Sequence, residues 1–220
     1  MTLFLDNDVL EKLASWDLLN DSIAACGESV SSVLVLPAQK FRLGLAGTEK
    51  NRARRRKKYS NSAIERLEAF LNATQECAAE LTPEADSLAM VDGLDPGEAN
   101  LFAQASAIEG AIVATGDKRS IEALARAQGC EAITSRMAGR VMCLEQILLR
   151  AIDHLGFAEV RARVVRSGAL TMDTAVRAAF GSGIQADEPS SCGSLERRVR
   201  VLAGSTGALL AMQSYRFEDE

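Results

Sequence analysis

Short unbroken apolar runs alternate with amphipathic stretches over the first 150 residues. Leu3, Phe4 and Leu5 follow one another without interruption and predict a short buried strand over Thr2–Leu5. Val9, Leu10, Leu13, Trp16 and Leu19 then recur at helical spacing and predict a helix over 9–19, with Trp16 as a core residue. Val33–Leu36 is a second apolar run, ended by Pro37, and a mixed helical segment follows it. Ile64, Leu67, Phe70, Leu71 and Thr74 predict an amphipathic helix over 62–80. Asp95-Pro96-Gly97-Glu98 opens a helix that carries Ala99, Phe102, Ala103 and Ala105. Ala111–Thr115 reads as a strand, Gly116-Asp117 as a turn, 120–128 as a helix with Gly129 as its C-cap, and 131–134 as a last strand.

This alternation predicts βαβ units with right-handed crossovers, hence a three-layer α/β fold with a mostly parallel central sheet. From residue 151 the chain is Ala- and Arg-rich and helical in pattern, with no strand-like alternation. The expected organisation is a core over 1–150 and a helical C-terminal extension over 151–220 that packs on it or mediates self-association. With 220 residues, 47% of them hydrophobic, the chain can bury a full core without covalent staples. Its five cysteines are scattered and never spaced as CxxC, so neither a disulfide framework nor a thiolate zinc site is expected, and a reducing cytoplasm fits best. No stretch stays apolar long enough to span a bilayer.

The net charge of −5 conceals a segregation. Lys50, Arg52, Arg54, Arg55, Arg56, Lys57 and Lys58 crowd into one short block while the rest of the chain is strongly acidic. Such a block neutralises phosphates and releases their counterions, attracting nucleic acid without reading its sequence. A solvated helix surface or loop is the alternative reading of the same run.

Three acids, Asp6, Glu98 and Asp117, stand where strands end or helices begin, far apart in sequence. In an open α/β sheet the ligand crevice lies beyond the carboxyl ends of the strands. Carboxylates gathered at that edge repel one another unless a cation sits among them, and a hard divalent ion is the natural occupant. Each acid also has a purely structural reading. Asp95-Pro96-Gly97-Glu98 has the form of a capping box, and Asp6 and Asp117 can cap the helices that follow them. Lys118 and Arg119 either neutralise a phosphate beside Asp117 or lie exposed at a helix start. His154 is the only histidine, which leaves a catalytic triad or a histidine-based metal cluster without support.

The segments Leu3-Phe4-Leu5-Asp6-Asn7-Asp8-Val9-Leu10, Pro96-Gly97-Glu98-Ala99-Asn100-Leu101 and Val113-Ala114-Thr115-Gly116-Asp117-Lys118-Arg119 resemble, in order and separation, the successive acidic motifs of PIN-domain (VapC-like) ribonucleases. The resemblance covers the first 150 residues. It implies a PIN-like fold and a Mg²⁺- or Mn²⁺-dependent RNA endonuclease with Asp6, Glu98 and Asp117 as catalytic metal ligands. It implies RNA as substrate and, for the toxin-type members, an antitoxin or other protein partner or a second copy of the chain. The family commonly carries another acid early in the helix after the second strand, where this chain has Ala38-Gln39-Lys40-Phe41-Arg42-Leu43. Asp8 is positioned to make up part of that charge. A catalytically inactive PIN-like module that binds RNA or protein follows from the same departure. Asp6-Asn7-Asp8-Val9 also resembles the opening of haloacid-dehalogenase-like phosphatases, but the later acid expected there is Ile121 and the second strand ends in Pro37-Ala38 rather than Ser or Thr.

If the basic block grips phosphates, neutralising Arg54, Arg55, Arg56 and Lys57 weakens RNA binding across all sequences and flattens its salt dependence. Filter binding at several salt concentrations reads this, and an unchanged slope removes the block from the binding surface.

Overall fold

The computed structural model describes residues 2–46, 50, 53, 59–77, 82–168 and 174–211. Arg52, Arg54, Arg55, Arg56, Lys57 and Lys58 of the basic block lie outside the described residues. The strands β1 (Thr2–Leu5), β2 (Val33–Val35), β3 (Gln75–Glu76), β4 (Ala111–Thr115) and β5 (Val141–Cys143) form one all-parallel sheet in the spatial order β3-β2-β1-β4-β5. Helices surround it, so the fold is the α/β arrangement that the alternation predicts. All five residues of β4 are buried, as are the last three of β1, the pattern of central strands covered on both faces.

The helices of the first part are α1 (Asn7–Ser15), α2 (Leu19–Ala25), α3 (Gln39–Arg42), α4 (Asn61–Ala73), α5 (Pro83–Ala89), α6 (Pro96–Ala107), α7 (Lys118–Ala125) and α8 (Glu131–Arg136). Beyond β5 come α9 (Leu144–Leu155), α10 (Phe157–Arg166), α11 (Thr174–Phe180) and α12 (Glu188–Thr206).

Four local expectations are corrected. The helix expected over 9–19 is two helices broken at Trp16-Asp17, with Asp17 in the left-handed region at φ 61°. Trp16, Leu18 and Leu19 are all buried, which one straight helical face cannot achieve, and Asp tolerates the left-handed turn better than most residues. The segment 131–134 is not a strand but part of α8, where only Ile133 is buried. The last strand is instead Val141–Cys143, which runs directly into α9 and so hides its short apolar run inside a longer helical pattern. The helix expected to reach 80 stops at Ala73 and is followed by β3, whose Gln75 and Glu76 are exposed on the sheet edge and too polar to announce a strand. The helix expected over 120–128 ends at Ala125, and Gly129, at φ 77°, shapes the turn after it.

Phe4, Trp16, Phe102 and Phe180 are completely buried in one continuous core, together with Leu148 of α9 and Leu195 of α12. The division expected at residue 150 falls inside α9, which packs on α2, α10 and α12. Arg163 of α10 reaches back to Asp21, at 2.7 Å, and to the carbonyl of Asp17. Residues 208–211 run along the outer side of β5, where the Ala211 N–H donates to the Val141 carbonyl at 2.8 Å and covers the sheet edge. Among the described residues no helix is long and apolar enough to cross a membrane.

Because α9 shares its core with the sheet, Leu148→Ala lowers stability by about 2–5 kcal/mol. Urea unfolding followed by the fluorescence of Trp16 measures it, since Trp16 reports from the opposite end of the sequence. A Trp16 transition that Leu148→Ala leaves in place indicates that the two parts unfold separately.

Candidate functional site

Asp6 directly follows β1, Asp117 lies two residues beyond β4, and the two strands are neighbours, with Leu5 in register with Ala114. The chain leaves β1 toward β2 and β3 on one side and returns to β4 and β5 on the other. The crevice beyond the carboxyl ends of β1 and β4 is therefore the switch point of the topology, the place where open α/β sheets bind ligands.

Each of the three acids sits at a helix N-terminus. Asp6 caps α1, its Oδ1 accepting the Asn7 N–H at 2.7 Å. Asp117 caps α7, accepting the Arg119 N–H at 2.9 Å. Glu98 completes the capping box of α6: Asp95 accepts from the Gly97 and Glu98 amides, and Glu98 accepts the Asp95 N–H at 2.8 Å. The capping reading of these residues holds, and the second oxygen of Asp6 accepts the Thr115 hydroxyl at 3.3 Å while that of Asp117 accepts the Arg119 guanidinium.

The structure brings all of them to one cleft of about 530 Å³, lined by Asp6, Asp8, Glu11, Asp95, Glu98 and Asp117 with Lys12, Arg42 and Arg119. Lys12 pairs with Asp8 at 2.7 Å, Arg42 with Asp95 at 3.6 Å, and Arg119 with Asp117 at 2.9 Å. Asp6 and Glu98 form no ion pair among the described residues. Burial raises the Asp6 carboxyl above its ordinary range and the Asp8 charge adds to that, against the opposing hydrogen bond from Asn7. Burial also raises Glu98, the Asp95 amide bond opposes it, and the charges of Asp95, Asp117 and Asp6 raise it further. Burial alone would raise Asp117 as well, but the hydrogen bonds and charge of Arg119 outweigh it and hold Asp117 low. Gly116 leaves room for the Asp8 carboxylate, which a Cβ at that position would displace.

Lys118 does not face the cleft. It turns to Glu145 of α9, a buried carboxylate with which it forms an ion pair. Arg119 remains at the cleft, its side chain 86% exposed. The stretch after β2, where a fourth acid was expected, holds Gln39 in a structural role. Gln39 is buried, its amide donates to the Leu5 carbonyl at 2.5 Å, and its Oε1 accepts the Leu36 N–H at 2.8 Å. It ties the ends of β1 and β2 together without charge. Sequence reasoning also passed over Arg42 and Asn100, which with Asp6, Asn7 and Gln39 line a smaller cavity of about 130 Å³ beside the cleft. The Oδ1 atoms of Asn7 and Asn100 are buried there without a hydrogen-bond donor. Nothing in the local spacing of Arg42 or Asn100 signals a site, because they meet only where the Arg42 side chain reaches Asp95 and Gly97 at the start of α6.

No protein-family model, curated protein or solved structure matches this chain.

Among the described residues, no group of three His, Cys, Asp or Glu side chains is arranged to hold a metal ion as the side chains stand, their oxygens being turned to caps and ion pairs. The donor chemistry nevertheless suits a hard cation: the cleft is lined by carboxylates, with no thiolate or imidazole. Bringing Asp117 into such a set requires the exposed Arg119 to swing away. A solvent-exposed pair of that kind is screened by water and gives little resistance to rearrangement.

The raised Asp6 carboxyl fixes the sign of a stability effect. A carboxyl whose folded-state value exceeds its unfolded one favours the fold at low pH, and that contribution is lost as pH rises from the ordinary range through the raised value. At neutral pH, in chelator, Asp6→Asn therefore melts at a higher temperature than the wild type. If Asp6 holds an ion, saturating Mn²⁺ stabilises the wild type and not the variant, by about 2.7 kcal/mol at a hundred times its Kd. Thermal melts of both proteins with and without Mn²⁺ check this, and identical responses to the metal exclude an ion held by Asp6.

Proposed function

We propose that this protein is a PIN-like, divalent-metal-dependent endoribonuclease of the cytoplasm. The observation that carries the reading is the pair Asp6 and Glu98, two carboxyls drawn from remote parts of the chain into one desolvated cleft, each raised by burial and neither paired with a basic side chain among the described residues. Two carboxyls under mutual repulsion at a topological switch point are what a cation would relieve. Asp6, Glu98 and Asp117 would hold Mg²⁺ or Mn²⁺, and Asp8 would assist once released from Lys12. Such an ion supplies a water of lowered pKa and offsets the charge that develops on phosphorus and the leaving oxygen.

The chain's own residues do the remaining work. Arg119, freed from Asp117, stands at the mouth with an exposed guanidinium suited to a phosphate. Arg42, anchored by Asp95, offers a second cation on the opposite wall. The α1, α6 and α7 N-termini are already capped by Asp6, Asp95 and Asp117, so the cations at the mouth and not the helix ends would meet the phosphate.

One observation favours a second reading, an inactive PIN-like binding module. Gln39 occupies the segment where the fourth acid belongs and spends its whole amide on Leu5 and Leu36, leaving fewer charges to hold an ion. The two readings separate in one assay. Incubated with a structured RNA and Mn²⁺ or Mg²⁺, the wild type produces internal cuts, EDTA abolishes them, and Asp6→Asn reduces the rate by about 10²–10³-fold, the scale for removing one group that stabilises transition-state charge. RNA left intact at all metal concentrations, by a protein that still binds it, establishes the inactive module.

A further inference from the structure

The turn Asp117-Lys118-Arg119 divides two surfaces. Asp117 and Arg119 line the acidic cleft, whereas Lys118 lines a second groove of about 510 Å³ between α7 and the C-terminal helices α11 and α12. Its other walls include Glu122, Ser194, Arg197, Arg198 and Val201. The sign of its charge is opposite to that of the cleft: Lys118 is taken by the buried Glu145 and Glu122 by Arg126 at 3.5 Å and the Ser205 hydroxyl at 3.0 Å, which leaves Arg197 and Arg198 as the net charge of the lining. Arg198 touches the Thr174 carbonyl at 3.4 Å, and Arg197 is exposed and forms no ion pair among the described residues. Val201 is 70% exposed, an apolar ledge beside the two arginines.

We propose that this groove carries the phosphodiester backbone of single-stranded RNA just outside the acidic cleft. The inference rests on the nuclease reading of that cleft and gives the C-terminal helices their part in it. A polyanion is repelled by a crevice in which acids outnumber bases, so the strand flanking the scissile phosphate needs cations immediately beyond the rim. Lys118, next to Asp117, adjoins the rim, but its charge is taken by Glu145 and the condition falls on the two arginines. Arg197 and Arg198 meet it by the docking of α12 against α7. A guanidinium pair beside an apolar ledge suits a phosphate with a stacked base, because base stacking tolerates any sequence and arginine holds phosphate in a planar fork. An acidic peptide is the competing occupant of a basic groove.

The test is fluorescence anisotropy of labelled oligouridine on the full-length protein in EDTA, where no cleavage occurs, at a series of salt concentrations. Arg197→Gln combined with Arg198→Gln weakens binding at low salt by about 5–10-fold and lowers the slope of log affinity against log salt by about 1.4, roughly 0.7 for each phosphate of a single strand that is no longer neutralised. Val201→Glu, at a solvent-exposed position, weakens binding as well. Unchanged affinity and slope in variants that melt like the wild type overturn the proposal. So does labelled polyglutamate that binds more tightly than oligouridine and is released by the same variants. Because the measurement excludes metal, RNA held in the groove but never cut removes only the nuclease reading, and cutting that survives the groove variants with unchanged RNA affinity removes only this one.

Discussion

The parallel pairing of β1 with β4 is the constraint on which the site depends. Leu5 lies in register with Ala114, and the backbone N–H of Asp6 donates to the Ala114 carbonyl at 2.9 Å, so the acid that ends one strand is fixed against the strand that leads to Asp117. The reversal of strand order at this point opens the crevice, and α6 brings Asp95 and Glu98 across it. Gly116 allows Asp8 to lie against the β4 end, since any side chain there would occupy the carboxylate's place.

Locally, each carboxylate is well placed: a helix N-terminus offers unpaired amides and a favourable dipole, which is why Asp6, Asp95 and Asp117 are all caps. Collectively they oppose one another, because three such termini converge on one cleft in which burial raises Asp6 and Glu98. The chain relieves part of that with Lys12, Arg42 and Arg119, all paired with acids that are themselves partly exposed. It leaves Asp6 and Glu98, the more deeply placed members, without that relief. Sites that store electrostatic strain are where function concentrates, because a ligand of the opposite charge gains what the fold gave up.

The helices that follow β5 pack on this arrangement. α9 begins directly after β5 and supplies Glu145, whose buried carboxylate takes the Lys118 side chain and so orients the turn that carries Asp117. A buried carboxylate left without its cation is strongly unfavourable, so Lys118 is held to α9 while Arg119 is left to the cleft. In this way α9 decides which of two adjacent basic residues faces the acids.

The sequence by itself determined the elements whose signal is local. The apolar runs Thr2–Leu5 and Ala111–Thr115 are strands with those limits, and the Asp95-Pro96-Gly97-Glu98 capping box starts its helix where the residues say it should, because burial on both faces and cap geometry act within a few positions of the chain. It did not determine β3 or β5: Gln75-Glu76 has no apolar pattern, and Val141–Cys143 merges with the helix after it, so both are strands only because a neighbouring strand offers hydrogen bonds. That Asp6, Glu98 and Asp117 meet in one cleft could be argued from strand ends. Which of them keep free oxygens, that Gln39 bridges Leu5 and Leu36, and that Lys118 turns to Glu145 were decided by tertiary packing alone, since long side chains choose among partners that only the folded sheet and helices bring within reach.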